Sequence, residues 1–484
     1  MAITEARPET AEEAGRADWT EATRLLCMAA YTDATLAQEV VEELVEERHR
    51  AVHVPPGVDA EPVIRHCLAA VHRKTMRDRI LAADVVLTVL LFPVTFGGSL
   101  MIGFLIAWAA VAYDFWSGTY GIVPKRLSRQ AFDPADAPAP GSAELVQRTD
   151  ELVARQTGNV TVYSGFLPFA GAGFDLGGWS FVVDLRRGRD EAGHRLTPKP
   201  LEATDLYEGV ERAVRGLGMS NLTIEDRAFV SGTDLRGDPA LLPSVAGPPS
   251  TSIDDAEMRR LVRTSTRRIR HYMCVRVMDW SGELGLSLFL RFGVANGRLF
   301  CERSGFLLTP LKPALQRGDG ISPEPELADV LRLARHSLLS TPGLSLRSFS
   351  VVMRPLGQHR RHAKLLKRVQ RDVFFDYGAA RNALDRVRST DYSRYFQKLD
   401  KEMYTKVLER TILDAIVDVL DAHDVDTEEL VERRSTIINH GIMVPGGSVK
   451  AESIAVGTGA RILNRLTGAG TSSGKGSGGG GGDA

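Results

Sequence analysis

The sequence of 484 residues has few cysteines and almost no net charge, and each shortage narrows the choice of protein class. The four cysteines form no CxxC pair, so we predict neither a zinc site nor a disulfide framework. We expect buried free thiols at Cys27, Cys67, Cys274 and Cys301. The formal net charge of -1 argues against attraction of the whole protein to nucleic acid or anionic lipid. The first fifteen or so residues lack a basic and an apolar segment, so no cleavable signal peptide is predicted.

Familiar catalytic and ligand-binding motifs are also missing. No G-x-S-x-G elbow, P-loop or H-E-x-x-H pattern occurs. The Gly-rich stretch Gly171–Gly178 precedes a β-prone run, which favours a hairpin or surface loop over a dinucleotide-binding loop. His359 and His362 have no third ligand nearby and enclose two arginines, which argues against a metal site. The sequence therefore indicates no catalytic residue, cofactor or metal, while an enzyme with dispersed catalytic residues stays open.

The most informative feature is the charge-free stretch from Val85 to Tyr113. It is long enough to cross the roughly 30 Å hydrocarbon core of a bilayer. Helix-breaking residues in its middle favour two short arms over one long helix, so we predict a membrane hairpin over 80–116. The residues predicted to lie in the membrane include Val85, Leu91, Pro93, Gly97, Gly98, Phe104, Trp108 and Trp116. The alternative is a buried helical hairpin in a soluble core.

Basic residues flank this stretch on both sides. Arg73, Lys74, Arg77 and Arg79 precede it, and Lys125, Arg126 and Arg129 follow it. Positive charge in short flanking segments marks the cytoplasmic side of a membrane. We therefore expect both ends of the hairpin to be cytosolic, with the protein at the cell membrane and the bulk of the chain in the cytoplasm.

Composition and periodicity divide the rest of the chain, and the predicted fold class is α+β. The predicted segments are a disordered 1–17, an N-terminal helical region 18–79, the membrane hairpin 80–116, a basic flank and Pro/Ala linker 117–142, an α+β cytosolic domain with antiparallel strands 143–355, a helical region 356–434, a β-prone arch 435–461 and a disordered Gly/Ser tail 462–484. Within the α+β domain we predict three consecutive strands from 267 to 308, with an Asn296-Gly297 hairpin turn. A helix near 325–339 and a strand near 344–353 complete the prediction.

A basic run occupies residues 354–371. Its candidate contacts to anionic lipid are Arg354, Arg360, Arg361, Lys364, Lys367, Arg368 and Arg371. Such a cluster could hold lipid headgroups or nucleic-acid phosphates, and the nearby hairpin favours lipid. The alternative is the solvated face of a long helix. A second cluster lies between Arg259 and Arg270, and the sequence alone does not decide whether the two share a face.

The residues from 436 to 456 are β-prone and punctuated by glycine. Such a segment could stack with copies of itself or bind protein partners, because unpaired strand edges template further strands. The alternatives are a small hairpin packed on its own domain and a disordered tail.

With these patterns in view, the chain resembles a family of integral membrane proteins from GC-rich Gram-positive bacteria that has no assigned activity. The resemblance covers roughly residues 60–355 and is carried by NVTVYSGFLPFAGAGFDLGGWSFVVDL, HYMCVRVMDWSGELGLSLFLRFGV and the apolar hairpin. Residues 436–461 also resemble, loosely, the Gly-punctuated signalling motifs at the ends of some bacterial immune and regulatory proteins. What the family resemblance implies is a membrane-associated protein, with no catalytic residue to carry over.

We therefore predict a membrane-anchored, cytosol-facing interaction, sensing or scaffold module whose partner is membrane lipid. One alternative is a membrane-tethered enzyme acting on a lipid or nucleotide in a cleft near Phe166–Gly178, Arg267 and Arg270. The other alternative is a protein that binds nucleic acid through the 354–371 run. The net charge makes nucleic acid an unlikely partner under this prediction.

Overall fold

The computed structural model describes residues 20–432 and 434, apart from positions 34, 192, 265, 267, 381 and 382. At positions 20, 355, 356, 358 and 359 it describes the backbone alone. Over this part of the chain the fold is a mixed α+β structure, as the sequence predicts, with one six-stranded sheet surrounded by helices.

The large sheet combines antiparallel strands with one parallel strand at its edge. Its strands, with a small separate hairpin β3–β4, are β1 (Val160–Tyr163), β2 (Phe174–Asp184), β3 (Asp190–Glu191), β4 (His194–Arg195), β5 (Leu222–Ser231), β6 (Ile269–Asp279), β7 (Leu284–Ala295) and β8 (Arg298–Leu308). The order across the large sheet is β1-β5-β6-β7-β8-β2. Strand β1 runs parallel to β5, and every other neighbouring pair is antiparallel.

The three consecutive strands predicted before residue 308 are confirmed as β6, β7 and β8. Asn296 and Gly297 form the turn between β7 and β8, with φ angles of 52° and 70°. Both angles lie in the left-handed region that a type I′ turn requires, which explains why the pair sits there. The same turn sets the register in which Ala295 lies opposite Arg298.

The helices are distributed along the whole described chain, before, between and after the strands. They are α1 (Thr20–Thr32), α2 (Leu36–Val40), α3 (Ala60–Leu91), α4 (Gly98–Trp116), α5 (Val123–Arg126), α6 (Ala143–Gln156), α7 (Ala203–Arg215), α8 (Asp255–Arg263), α9 (Leu327–Arg371), α10 (Ala383–Arg386) and α11 (Tyr395–Ala422). Two π-helical turns, Val41–Glu46 and Ser117–Ile122, extend α2 and join α4 to α5.

The two faces of the sheet bury different side chains. On one face, α7 and α11 pack against aliphatic residues, with Leu206, Val275, Leu288 and Ile412 all buried in one cluster. The opposite face carries aromatic rings. The buried members of that cluster are Phe169, Ala172, Phe229, Tyr272, Cys274, Phe289 and Phe306. Since side chains alternate between faces along a strand, β6 supplies Val275 to one cluster and Cys274 to the other.

The N-terminal helices form a second core. Helices α1, α2 and the first half of α3 share one cluster of buried apolar residues that also takes in Leu152 of α6 and Leu311 after β8. Arg24 is buried beside this cluster, where its guanidinium donates to Glu21, to Asp319 and to the carbonyl of Leu127. The four cysteines are free and buried, as predicted.

One local prediction fails. The strand predicted near 344–353 is wrong, because these residues belong to α9, a single helix that runs from Leu327 to Arg371 through the boundary predicted at 355. The predicted hairpin or surface loop at the Gly-rich stretch is a loop that leads into β2, because β1 and β2 lie at opposite edges of the sheet and do not pair. The β-prone arch from 436 to 456 falls outside the described residues.

Candidate functional site

A helical hairpin projects from the N-terminal helices. The second half of α3 and the whole of α4 form its two arms, which pack against each other. The turn between them contains the residues singled out as helix breakers, with Phe96 and Gly97 at φ angles of 50° and 91°. The structure therefore has two helical arms where the sequence predicts them, although α3 begins much earlier, at Ala60, than the predicted arm.

Small residues let the two arms approach closely. Ser99, Gly103 and Ala107 recur every fourth residue along α4 and are buried. A Cβ atom at Gly103 would lie only 2.1 Å from the Thr88 hydroxyl of the other arm. The Ser99 hydroxyl donates a hydrogen bond of 3.1 Å to the Thr88 carbonyl. This spacing of small residues is typical of helix pairs that associate within lipid, where close packing replaces the hydrophobic effect.

A buried ion-pair network fastens the two arms at their base. The carboxylate of Asp114 on α4 lies 2.9 Å from the guanidinium of Arg73 and 2.9 Å from that of Arg77, both on α3. Arg77 also pairs with Asp78 at 2.7 Å. The Asp114 side chain is only 5% exposed. Two of the flanking arginines are therefore neutralised by carboxylates in the fold.

Beyond this base the hairpin exposes apolar side chains. Among the residues predicted to lie in the membrane, five are exposed, namely Leu91, Pro93, Gly98, Phe104 and Trp116. The other three, Val85, Gly97 and Trp108, are half-buried. Many neighbours are exposed too, among them Val89, Leu90, Val94, Phe96, Leu100, Met101 and Ile102. Within the described part of the chain, Gly98–Arg126 is the helical stretch that meets the length and composition of a membrane span. Exposed apolar surfaces of this extent are typical of interaction sites.

Helix α9 crosses the base of the hairpin. The Trp108 indole N–H donates to the Ser337 hydroxyl at 3.0 Å, and the Phe115 ring stacks on His336 with centroids 5.2 Å apart. Leu344 packs against the apolar cluster at the base. The buried members of that cluster are Leu81, Ala107 and Val111. These contacts leave the tip of the hairpin uncovered by described residues.

The outward face of α9 changes from apolar to basic along its length. Leu339, Leu346, Met353, Arg360 and Lys367 follow one another at intervals of seven residues, which places them on one face of the helix. The first three are 72%, 80% and 57% exposed. The last two are also exposed and have positive charge. An apolar half and a basic half are thus continuous on one surface.

The predicted basic run is largely available to solvent. Arg360, Arg361, Lys364, Lys367, Arg368 and Arg371 are exposed. Arg354 differs, because it forms an ion pair with Glu42 of the π-helical turn after α2. We call the six exposed residues the basic face. Half of the second predicted cluster lies on α8. There Arg260 pairs with Glu257, and Arg263 lies 3.9 Å from Glu202. Arg267 is outside the described residues.

A separate cavity of about 550 Å³ opens beside the aromatic face of the sheet. Phe169–Ala172 of the Gly-rich loop line it, so part of the predicted cleft is present, whereas Arg270 does not line it. Three elements close its other sides, namely β5, the end of α6 and the segment Ala51–Pro56. Among the described residues no group of His, Cys, Asp and Glu side chains has the arrangement of a metal site.

The fold and this surface define an α+β protein with a projecting apolar hairpin and an adjoining basic helix. The chain belongs to the family of the AbeC-like domain, whose model matches residues 178–450, more than half of its length. The matched region takes in most of β2, strands β3 to β8 and helices α7 to α11, and it begins after the hairpin. A search of curated proteins finds no match, and a search of solved structures finds none.

Proposed function

We propose that the protein is anchored to a membrane by the tip of the hairpin and that the basic face of α9 contacts anionic lipid headgroups beside it. The α+β domain is then held at the cytoplasmic surface, where it serves interaction or sensing. The observation that carries this proposal is the continuity of exposed apolar and basic residues on and around the hairpin. The family resemblance to integral membrane proteins is consistent with it.

The dimensions of the tip favour insertion into one leaflet. From Val85 to Leu91 the first arm rises about 10 Å, and from Gly98 to Ile106 the second rises about 13 Å. Half of a hydrocarbon core is about 15 Å thick. The uncovered tip therefore matches one leaflet, and the ion pairs around Asp114, about 12 Å further along α4 than Ile106, would lie outside the hydrocarbon core. A hairpin of this depth leaves both of its ends on the same side of the bilayer.

The basic face supports lipid over nucleic acid as the partner. Six cations on one helix could attract either polyanion. Leu346 and Met353 continue the same face towards the hairpin, and exposed apolar side chains are suited to acyl chains instead of a phosphate backbone. Each basic residue near an anionic leaflet contributes about 1 kcal/mol.

Vesicle binding of the full-length protein tests the proposal. The protein should float with phosphatidylcholine vesicles, and more strongly with vesicles that also contain phosphatidylglycerol. Lys364→Gln with Lys367→Gln should weaken binding to the anionic vesicles by about 2 kcal/mol, roughly 30-fold, and leave binding to neutral vesicles unchanged. Lys398→Gln with Lys406→Gln, two exposed positions on α11, is the matched control. Release of membrane-bound protein by alkaline carbonate without detergent would refute anchoring.

A further inference from the structure

The cavity beside the aromatic face lies at an open edge of the sheet. Strand β1 pairs with β5 only from Ala228 to Ser231, so the edge of β5 over Leu222–Arg227 borders the cavity instead of another strand. The end of α6 and the segment Ala51–Pro56 cover this edge from outside. The fold thus leaves a concave space where a further strand could otherwise have paired.

Positive charge exceeds negative charge along the cavity wall. The charged side chains that line it are Arg155, Arg215, Arg227, Arg276, Glu225 and Asp226, together with His53, which pairs with Asp385. Glu225 accepts hydrogen bonds from Arg276 at 2.6 Å and from Arg227 at 2.7 Å. Burial opposes its ionisation, but these two guanidinium groups outweigh burial and lower the pKa of Glu225 to about 2. Glu225 therefore holds two arginines in place as a fixed anion.

Two arginines keep unused donors in this region. The Nη1 atom of Arg155 and the Nε atom of Arg227 are buried without a hydrogen-bond partner among the described residues. Burial, together with repulsion from Arg148, lowers the pKa of Arg155. A buried guanidinium nitrogen without an acceptor costs free energy, and an anion bound beside these two side chains would offset part of that cost.

The remaining wall is apolar. Phe169, Phe229 and Phe289 line the cavity along the sheet, together with Met278 and Ile224. The volume of about 550 Å³ lies within the range of pockets for small organic ligands. It is too small for a phospholipid with two long acyl chains. A ligand that matches this wall has an anionic group and a compact apolar body.

We infer that the cavity binds a small organic phosphate, with its phosphate on Arg155, Arg227 and Arg276 and its apolar body against the aromatic wall. Arginine is suited to this contact because its planar donors match phosphate oxygens in pairs. The site is independent of the hairpin, and it assigns a ligand-binding role to the α+β domain that the anchor does not explain.

Thermal unfolding and calorimetric titration of the full-length protein in detergent micelles test this inference. The probes are adenosine monophosphate, dihexanoyl phosphatidic acid and inorganic phosphate. An organic phosphate should raise the unfolding temperature and bind more tightly than inorganic phosphate, which lacks the apolar body. The first two probes distinguish a free nucleotide from a lipid-derived phosphate. Failure of both to bind would overturn the inference and leave the anchoring proposal untouched.

Arg155→Gln separates a binding role from a structural one. Because this guanidinium has an unsatisfied buried donor, its loss should leave the unfolding temperature of the ligand-free protein unchanged or higher, while the affinity for the organic phosphate falls about tenfold or more. Arg212→Gln, an exposed position on α7 that does not line the cavity, is the matched control and should change neither. A less stable Arg155→Gln protein that binds the probe with unchanged affinity would show that Arg155 is structural and would overturn the inference.

Discussion

Phe96 at the tip of the hairpin offers the sharpest test of membrane insertion. Its side chain is 99% exposed, and its φ angle of 50° lies in the left-handed region. Such a backbone costs a residue with a side chain about 1 to 2 kcal/mol relative to glycine. Phe96→Gly should therefore relieve the turn while removing the most exposed large apolar side chain of the hairpin.

The expected loss of membrane affinity follows from the area that lipid would cover. Full transfer of a phenylalanine side chain from water to an apolar phase contributes about 1.5 to 3 kcal/mol. Because nothing in the described fold covers Phe96, almost all of this contribution should be lost, which weakens partitioning into vesicles roughly 10- to 150-fold. Stability and membrane affinity should thus change in opposite directions.

Flotation of the purified protein with phosphatidylcholine vesicles over a range of lipid concentrations measures the partition coefficient. Thermal unfolding in detergent micelles confirms that the variant folds. Phe166→Gly is the matched control, because Phe166 is 83% exposed on the loop between β1 and β2 and has no place in the proposed anchor. If Phe96→Gly partitions as well as the unmodified protein, the tip does not enter the bilayer, and the proposed anchor is refuted.

Two further outcomes concern stability. Asp114→Asn should lower the free energy of unfolding by about 3 kcal/mol, because the half-buried guanidinium groups of Arg73 and Arg77 lose their buried carboxylate. Urea unfolding in micelles checks this, with exposed Asp136→Asn as control. Burial, with a smaller contribution from Arg126, lowers the pKa of His66 from 6.5 to about 4. The contribution of neutral His66 to stability is therefore complete above pH 6.5 and is lost as the pH falls through 4. Because His66→Gln lacks this titration, its free energy of unfolding should fall by about 2 to 3 kcal/mol less than that of the unmodified protein between pH 7 and 4.5. Equal pH slopes in both proteins would contradict this assignment.

The hairpin could be located from the sequence because its signals are local. The absence of charge between Val85 and Tyr113 and the breakers Pro93, Gly97 and Gly98 are read directly along the chain. The turn at Asn296 likewise depends on two adjacent residues. Features that rest on neighbouring residues were therefore predicted close to their observed positions.

The failed strand at 344–353 shows where local signals mislead. The stretch LSLRSFSVVM alternates apolar and polar residues and contains β-branched side chains, which favours a strand. In the fold, Leu344 packs on the base of the hairpin and Ser348 is buried. These residues lie four positions apart, so a helix places both on the side that faces inward. Tertiary packing overrode intrinsic preference here, as it commonly does.

The cavity could not be predicted, because its charged residues come from separate elements. Arg155 ends α6, Arg227 lies on β5 and Arg276 on β6, and no spacing in the sequence links them. The order of strands in the sheet brings β5 and β6 together, so that Thr223 lies opposite Arg276. The Gly-rich loop gave a partial signal, since the cleft was expected near Phe166–Gly178, and Phe169–Ala172 do line the cavity.

The charges around the hairpin determine how much the hairpin tip and the basic face of α9 each contribute to the proposed membrane binding. Arg73 and Arg77 were expected to act as free positive flanks, but Asp114 and Asp78 neutralise them. The electrostatic part of membrane affinity must then come from the basic face of α9 and from the remaining flanks Arg79, Lys125 and Arg126, which are exposed and so screened by salt. The apolar part comes from the tip and is insensitive to salt. Because the two contributions come from different elements, high salt should remove the preference for anionic lipid without releasing the protein, which is the behaviour of an anchor and not of a protein held by charge alone.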